Sequence, residues 1–510
     1  MGDFLSRAQG VMHRLRRFVT LALVAALTPM ATQGQQAQPA IVFPGLEGLR
    51  YGLSVTDLQG NVLLAHRANE RFMPASNAKL FVTAAALASE AELTALAPAL
   101  RVYLVHGPEG PPDLVLVGRG DPTIGAGSEC DARCIETLAR AVAAANITEV
   151  GDIVGDDRWF ADERTPLGWS WDDLKFGHGT AVSALSVNEN VVPLRVSPGR
   201  TPGAPVSASW PDSGAAYFDL EIDAQTGARG SPWALRIQRN TGDQTARLYG
   251  DVPVRSRTVS LRLGVDNPAH LAAWYFRNAL AAEGVAISGT LRTQHRPLQY
   301  EDEPRPEDPT DPESAMRCLI DAMPPPRGTL IASLPPAPLG EIVAEINRDS
   351  QNLYAEVLLR QLGHVAGRGS SFCGQLQIQT FLDGVGIART AYDIADGSGL
   401  SNYNRATPAA ITALLRHAAT APWGEMFRLS LPMGGGADGS LRFRFRGTPL
   451  EGKIFAKTGT LNHVDALSGY MEARSGRVLA FSIIVNDRPL STPSARRQID
   501  AVLLDIASRY

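Results

Sequence analysis

The stretch Phe72-Met73-Pro74-Ala75-Ser76-Asn77-Ala78-Lys79-Leu80-Phe81 sets a serine three residues ahead of a lysine, just after a proline. Residues 75–87 are mostly good helix formers with no glycine or proline, which predicts a buried helix starting near Ser76. Positions i and i+3 share a helix face, so the Ser76 hydroxyl falls beside the Lys79 amine. Serine is a poor nucleophile until a neighbouring base takes its proton, and an amine is such a base only when neutral. The positive end of the helix and the loss of water both push Lys79 toward that state. S-x-x-K is weak as a motif by itself, although the chain holds only four lysines: Lys79, Lys175, Lys453 and Lys457. Support has to come from elsewhere in the chain.

At 510 residues the chain exceeds what one hydrophobic core usually supports, so two or three domains are expected. With 44% hydrophobic and 20% charged residues the composition is that of a globular protein, neither disordered nor built of many membrane spans. A net charge of −4 gives no electrostatic footprint for nucleic acid. Arg14, Arg16 and Arg17, the apolar run 18–27 and the small and polar residues to Gly34 have the layout of a secretory signal peptide over residues 1–34. Export into an oxidising compartment would permit disulfides. Cys130 and Cys134 are the only cysteines close in sequence, and on a helix they could bridge at the upper end of the allowed separation; Cys318 and Cys373 either pair or stay free. The nine histidines are scattered, with no H-x-x-x-H or C-x-x-C spacing, so neither a metal site nor a cofactor is expected.

In chain order, runs 51–57 and 61–66 flank Leu58-Gln59-Gly60 as a β-hairpin, and the Ser76 helix follows at once. Residues 41–100 form the first part of a catalytic domain. Residues 101–327 have another texture, short β-type runs such as 112–117 and 257–263 with Gly/Pro-rich connections, interrupted by helical stretches at 130–146 and 268–284. They read as one or two mostly β inserted domains, closing on an acidic, proline-rich loop at 301–309. Residues 328–510 return to helices at 339–348, 353–362 and 408–418, then a strand pair at 466–473 and 478–486 and a helix from Pro493. The expected class is α+β, an antiparallel sheet with helices made by both chain ends and carrying β-rich inserts.

Two further pieces join Ser76 and Lys79. Ser350-Gln351-Asn352 sets a hydroxyl and an amide in a tight loop between helices, where they could relay a proton to a leaving amine and hold a substrate amide; alone, they would equally well cap a helix. Lys457-Thr458-Gly459-Thr460, on a strand, offers a cation, two hydroxyls and a glycine past which a backbone can approach closely. S-x-x-K, S-x-N and K-T-G in this order are the signature of penicillin-binding proteins and serine β-lactamases.

The chain closely resembles the class C low-molecular-mass penicillin-binding proteins, the D-alanyl-D-alanine carboxypeptidase/endopeptidase family. The matching stretches include Pro74 to Lys79, Gly118-Arg119-Gly120-Asp121-Pro122, Ala184-Leu185-Ser186-Val187-Asn188-Glu189-Asn190, Ser350 to Glu356, Asp396-Gly397-Ser398-Gly399-Leu400-Ser401 and Lys457 to Thr460. A large insert between the first two catalytic motifs is itself a trait of that family. The resemblance implies a serine β-lactamase/transpeptidase-like fold, Ser76 as acyl-ester nucleophile, Lys79 as its proton acceptor and Ser350 as proton shuttle supported by Asn352. Lys457 would bind substrate, Thr458 and Thr460 would face its terminal carboxylate, and backbone N–H groups near Ser76 and Thr460 would form the oxyanion hole. A second cation near Lys79 also lowers its pKa, so Lys457 could help keep the base neutral.

The expected protein is a periplasmic serine hydrolase that cleaves the terminal D-Ala-D-Ala bond of peptidoglycan stem peptides, and the D-alanyl cross-link too, with β-lactam antibiotics acylating the same serine. Two rivals are a β-lactamase-like hydrolase, disfavoured by the size of the insert, and a silent peptidoglycan-binding scaffold, disfavoured by the intact motifs. Gly155-Asp156-Asp157 and Trp169-Ser170-Trp171 resemble family stretches near the substrate face, so Asp156 could contact a cationic third residue of the stem, or be an ordinary turn carboxylate. Oligomeric state is left open.

Overall fold

A computed structural model of the chain describes residues 46, 48–128, 130, 132–211, 216–302, 318, 327–491 and 493–510. The signal peptide expected over residues 1–34 and all but the first two residues of the acidic loop at 301–309 lie outside them.

The hairpin is β1 (Arg50–Asp57) and β2 (Val62–His66), followed by a 3-10 turn, Ala75–Ala78, and α1 (Lys79–Ala88). The insert opens with β3 (Arg101–Val105) and β4 (Asp113–Val117), then α2 (Ile135–Ala144), β5 (Ile153–Ala161), β6 (Val191–Ser197), β7 (Val259–Gly264), α3 (Pro268–Ala282), β8 (Leu291–Arg296) and β9 (Thr329–Ser333). The chain then returns through α4 (Leu339–Arg348), α5 (Asn352–Ala366), α6 (Ser371–Val385), α7 (Pro408–Thr420), β10 (Ile454–Leu461), β11 (Val464–Glu472), β12 (Val478–Asn486) and α8 (Arg496–Arg509).

Both chain ends meet in one antiparallel sheet, in the order β2-β1-β12-β11-β10. The central strands β11 and β12 are buried on both faces, so their sequences run apolar without alternation. Ala466, Tyr470, Ala480 and Ile484, at alternate positions, share a core with Leu80, Phe81, Ile411 and Leu414 of the overlying helices. Every residue of α1 from Lys79 to Leu87 is buried, and that is why this helix reads apolar all round.

The insert departs from expectation in three ways. Its main sheet, β8-β5-β4-β3-β9, is mixed, with β8, β5 and β4 parallel, and belongs to an α/β unit where a mostly β domain was expected. Helices α2 and α3 pack on it through Ile135, Leu138, Ala139, Phe276 and Leu280, and a second, β-built core gathers Leu194, Val196, Ile237 and Leu248. The boundary expected between residues 327 and 328 falls just ahead of β9, which pairs antiparallel with β3 and so belongs to the insert sheet. The helix expected from residue 130 starts at Ile135: Cys134 has an extended backbone (φ −95°, ψ 135°), and its disulfide to Cys130 closes a loop at a Cα separation of 5.7 Å. Cys318 and Cys373 are bonded to each other. Helix α6 went unread in the sequence.

Candidate active site

Ser76 sits in the 3-10 turn and Lys79 opens α1, so at three residues per turn the two side chains stand one above the other. Lys79 Nζ lies 3.1 Å from Ser76 Oγ, 2.7 Å from Asn352 Oδ1 and 2.5 Å from Ser398 O. The Asn352 amide is oriented by its Nδ2, which donates to the His178 carbonyl at 2.8 Å. Two of the three partners of Lys79 can only accept, and the third is a hydroxyl. The ammonium would donate to all three; in the neutral amine two N–H groups serve Asn352 and Ser398 and the lone pair is left to the Ser76 hydroxyl, so burial has to decide between the two forms.

The electrostatics favour that neutral form. Lys79 is wholly buried, and desolvation pushes its pKa down to about 7 against the raising influence of the Asp396 and Glu356 carboxylates. Lys457 is buried as completely; desolvation holds it well below the usual lysine value, with the charge of Lys79 adding to the effect and Asp349 opposing it. Burial is the largest cause at both amines and moves each toward the neutral form. The repulsion between the two amines is mutual, so a charge on either disfavours protonation of the other.

Strand β10, at the sheet edge, brings the third motif to the same place. A Cβ on Gly459 would come within 2.7 Å of both Pro74 O and Asn77 Nδ2, so only glycine lets this strand lie against the Ser76 turn. Lys457 Nζ donates to Ser350 Oγ at 2.8 Å and to Thr458 O at 3.2 Å. By strand alternation Thr458 and Thr460 project from the other side: Thr458 Oγ1 donates to Ser440 Oγ at 2.8 Å, and exposed Thr460 receives Arg496 Nη2 at 3.1 Å. Ser76, Lys79 and Asn352 thus form one hydrogen-bonded set and Ser350 and Lys457 a second, joined through the loop that carries Ser350 and Asn352.

A family model described as D-Ala-D-Ala carboxypeptidase 3 (S13) matches residues 35–303 and 318–507. The chain belongs to the S13 family. It is 34% identical over 477 residues to a D-alanyl-D-alanine carboxypeptidase of Actinomadura sp. (strain R39), covering 90% of this chain and 82% of that protein. It is 24% identical over 450 residues to the D-alanyl-D-alanine carboxypeptidase DacB of Haemophilus influenzae, 86% of either chain. The fold is that of the crystal structure of penicillin binding protein 4 (dacB) from Haemophilus influenzae, with a TM-score of 0.73 at 21% identity over 91% of this chain and 96% of the other.

Around this S13 site lies a supporting layer to which sequence reasoning gave no role. The loop from Asp396 to Ser401 delivers the Ser398 carbonyl to Lys79, and two buried carboxylates hold it. Asp396 accepts from Ser398 Oγ, Gly399 N, Ser401 N, Asn404 Nδ2 and, from the insert, Trp169 Nε1 at 2.8 Å. Glu356 Oε1 accepts from Ser398 N at 2.8 Å, while its Oε2 pairs with Arg360 at 3.2 Å. Burial, and then the nearby Asp396, pushes Glu356 up to about 7. Gly399 (φ 82°) has to be glycine, since a Cβ there would lie 2.0 Å from Ala75 O. The Asp/Ser/Gly spelling of 396–401 signalled a turn, but not what the turn holds.

Asp156 is not brought to this group. It lies within β5 rather than in a turn, it is buried, and Arg158 occupies both carboxylate oxygens at 2.9 and 2.6 Å. Residues i and i+2 of a strand share a face, which is why the pair forms. A buried carboxylate already neutralised by an adjacent guanidinium is a structural ion pair, which favours the ordinary structural reading of Asp156 over recognition of a cationic substrate group.

Proposed function

We propose that the protein is a serine-type D-Ala-D-Ala carboxypeptidase, and also a D,D-endopeptidase, that works on peptidoglycan stem peptides through an acyl-enzyme on Ser76. The observation that carries this reading is the wholly buried Lys79 amine 3.1 Å from Ser76 Oγ, with two further acceptors that the N–H groups of a neutral amine can serve. In the first half-reaction Ser76 Oγ attacks the scissile carbonyl as its proton passes to Lys79. Ser350, bonded to Lys457, would hand a proton on to the departing amine, which is D-alanine in the carboxypeptidase reaction. Water then releases the acyl group and regenerates the enzyme.

The terminal carboxylate of the substrate would lie along Thr458 and Thr460, with Arg496 as a further cation that the sequence did not suggest. An incoming carboxylate would favour the protonated form of Lys457, charging it only when substrate is bound. A β-lactam, whose carboxylate and acyl bond mimic those of the peptide, would acylate the same serine. Export to the periplasm is part of the proposal, and the two disulfides support it. The test is mass spectrometry after incubation with a labelled penicillin, alongside turnover of a D-Ala-D-Ala peptide. A single adduct on Ser76 with peptide turnover is expected. An adduct elsewhere would overturn the nucleophile, and rapid penicillin hydrolysis without peptide turnover would favour a β-lactamase.

A further inference from the structure

The stretch Ala184-Leu185-Ser186-Val187-Asn188-Glu189-Asn190 takes no part in the chemistry above, yet it ends against the Ser350 loop. Asn188, Glu189 and Asn190 are all left-handed, with φ of 50°, 57° and 55°. Residues with a Cβ enter this region at a cost, so three in succession need compensating contacts. The asparagines find theirs inside the insert. Asn188 Oδ1 accepts from Ala126 N at 2.8 Å and its Nδ2 donates to Ala126 O at 3.2 Å; Asn190 Nδ2 donates to Ala181 O at 3.0 Å. Glu189 makes its contacts outside the turn. Its Oε2 accepts from the Arg262 guanidinium and from the side-chain amide of Gln351.

Gln351 stands between Ser350 and Asn352. Ser350 is itself left-handed (φ 63°), and in this conformation its Oγ meets Lys457 Nζ. The next two residues are both tied to the insert, Gln351 by Glu189 and Asn352 by the His178 carbonyl. The geometry points to Glu189 as a positioning residue: braced by Arg262, it holds the Gln351 side chain and thereby keeps Ser350 in the backbone conformation that presents its hydroxyl to Lys457. The insert then sets the geometry of the proton shuttle. This rests on the role proposed for Ser350, since only a group that moves a proton depends on placement at this level; a misplacement of about 1 Å can cost about 10²-fold in rate.

A purely stabilising role fits the exposure poorly. The side chains of Arg262 and Glu189 are 54% and 30% exposed, and ion pairs as open as this add little to stability. The test measures acylation by a labelled penicillin and kcat and KM on a D-Ala-D-Ala peptide in the wild-type chain, Glu189→Ala, Gln351→Leu, their double mutant and Glu189→Gln. Each single change is expected to lower the acylation rate constant and kcat by about tenfold with KM within about twofold and Tm unmoved, and the double mutant to lose no more than either. Glu189→Gln keeps an oxygen that can accept from Gln351 and should recover most of the rate. Wild-type rates in both single mutants, losses that multiply in the double, or a rate that falls only in step with Tm would each overturn the positioning role alone. A wild-type chain that never acylates would overturn the role of Ser76 and, with it, this one.

Discussion

Lys79 and Asp156 are both shut away from water, at 0% and 3% exposure, but their surroundings treat the charge differently. Asp156, in the insert sheet, has the Arg158 guanidinium on both oxygens. Lys79, under the sheet made by the chain ends, is hydrogen-bonded only to a serine, an amide and a carbonyl. Burial with a bonded counter-charge gives a structural pair. Burial with neutral partners instead shifts the equilibrium of the group itself, and the result is an amine poised near neutrality. Burying Lys79 without a bonded counter-charge carries a cost that the Asp156–Arg158 pair avoids, as expected where a site trades stability for chemistry.

The comparison breaks first at Ser76, the one group for which no neighbour can substitute. Ser76→Ala should lower peptide turnover by about 10⁴-fold or more and remove the penicillin adduct, with the thermal midpoint unchanged. Retained turnover would show that the buried lysine serves another nucleophile. Lys79→Met keeps the length of the side chain and removes the amine, so acylation should fall by about 10³-fold. Chemical denaturation should show the same variant as stable as wild type or more so at pH 6, because it buries no amine that must be dehydrated. The sign follows from linkage: the unfolded chain keeps Lys79 protonated up to its ordinary pKa near 10.5, whereas the folded site releases the proton above about 7. The unfolding free energy of the wild type should therefore rise between these pH values relative to Lys79→Met.

Smaller effects sharpen the contrast. Acylation should increase with pH through a midpoint near 7, the value at which buried Lys79 loses its proton. Glu356→Gln removes a charge that raises this pKa and should move the midpoint to lower pH, while Lys457→Met removes a neighbouring cation and should weaken substrate binding and move the midpoint upward. An unmoved midpoint in Lys457→Met would show that burial alone sets the base. Smallest in function is Asp156→Ala. It should cost about 2 kcal/mol of stability through the lost charged hydrogen bonds, with kcat/KM changed less than about twofold on penicillin and on peptide alike.

Much of the site was legible because its spacing rules are local. Three residues from Ser76 to Lys79 fix a shared face whatever the rest of the chain does, and the 3-10 turn tightened that relation without altering it. Helix α4 runs over the residues the pattern marked, and β10 carries Lys457 on a strand as read. Local rules failed where punctuation misled. The small residues around Cys130 belong to a disulfide-closed loop ahead of α2, and β9 lies beyond a proline-rich boundary that looked like the end of the insert. Asp156 could have been paired with Arg158 by the alternation of a strand, had residues 153–161 been read as one.

By itself the sequence determined which groups can react, since a hydroxyl, two amines and an amide at motif spacing are a matter of local geometry. Whether Lys79 is a base was decided only by the tertiary structure. Its neutrality needs complete burial, which no single segment supplies: the Ser398 carbonyl comes from a loop more than three hundred residues away, Asn352 from α5, and the carbonyl that orients Asn352 from the insert. A pKa depends on the water that is removed and on the charges that remain nearby, and both are properties of the packed molecule rather than of any stretch of chain.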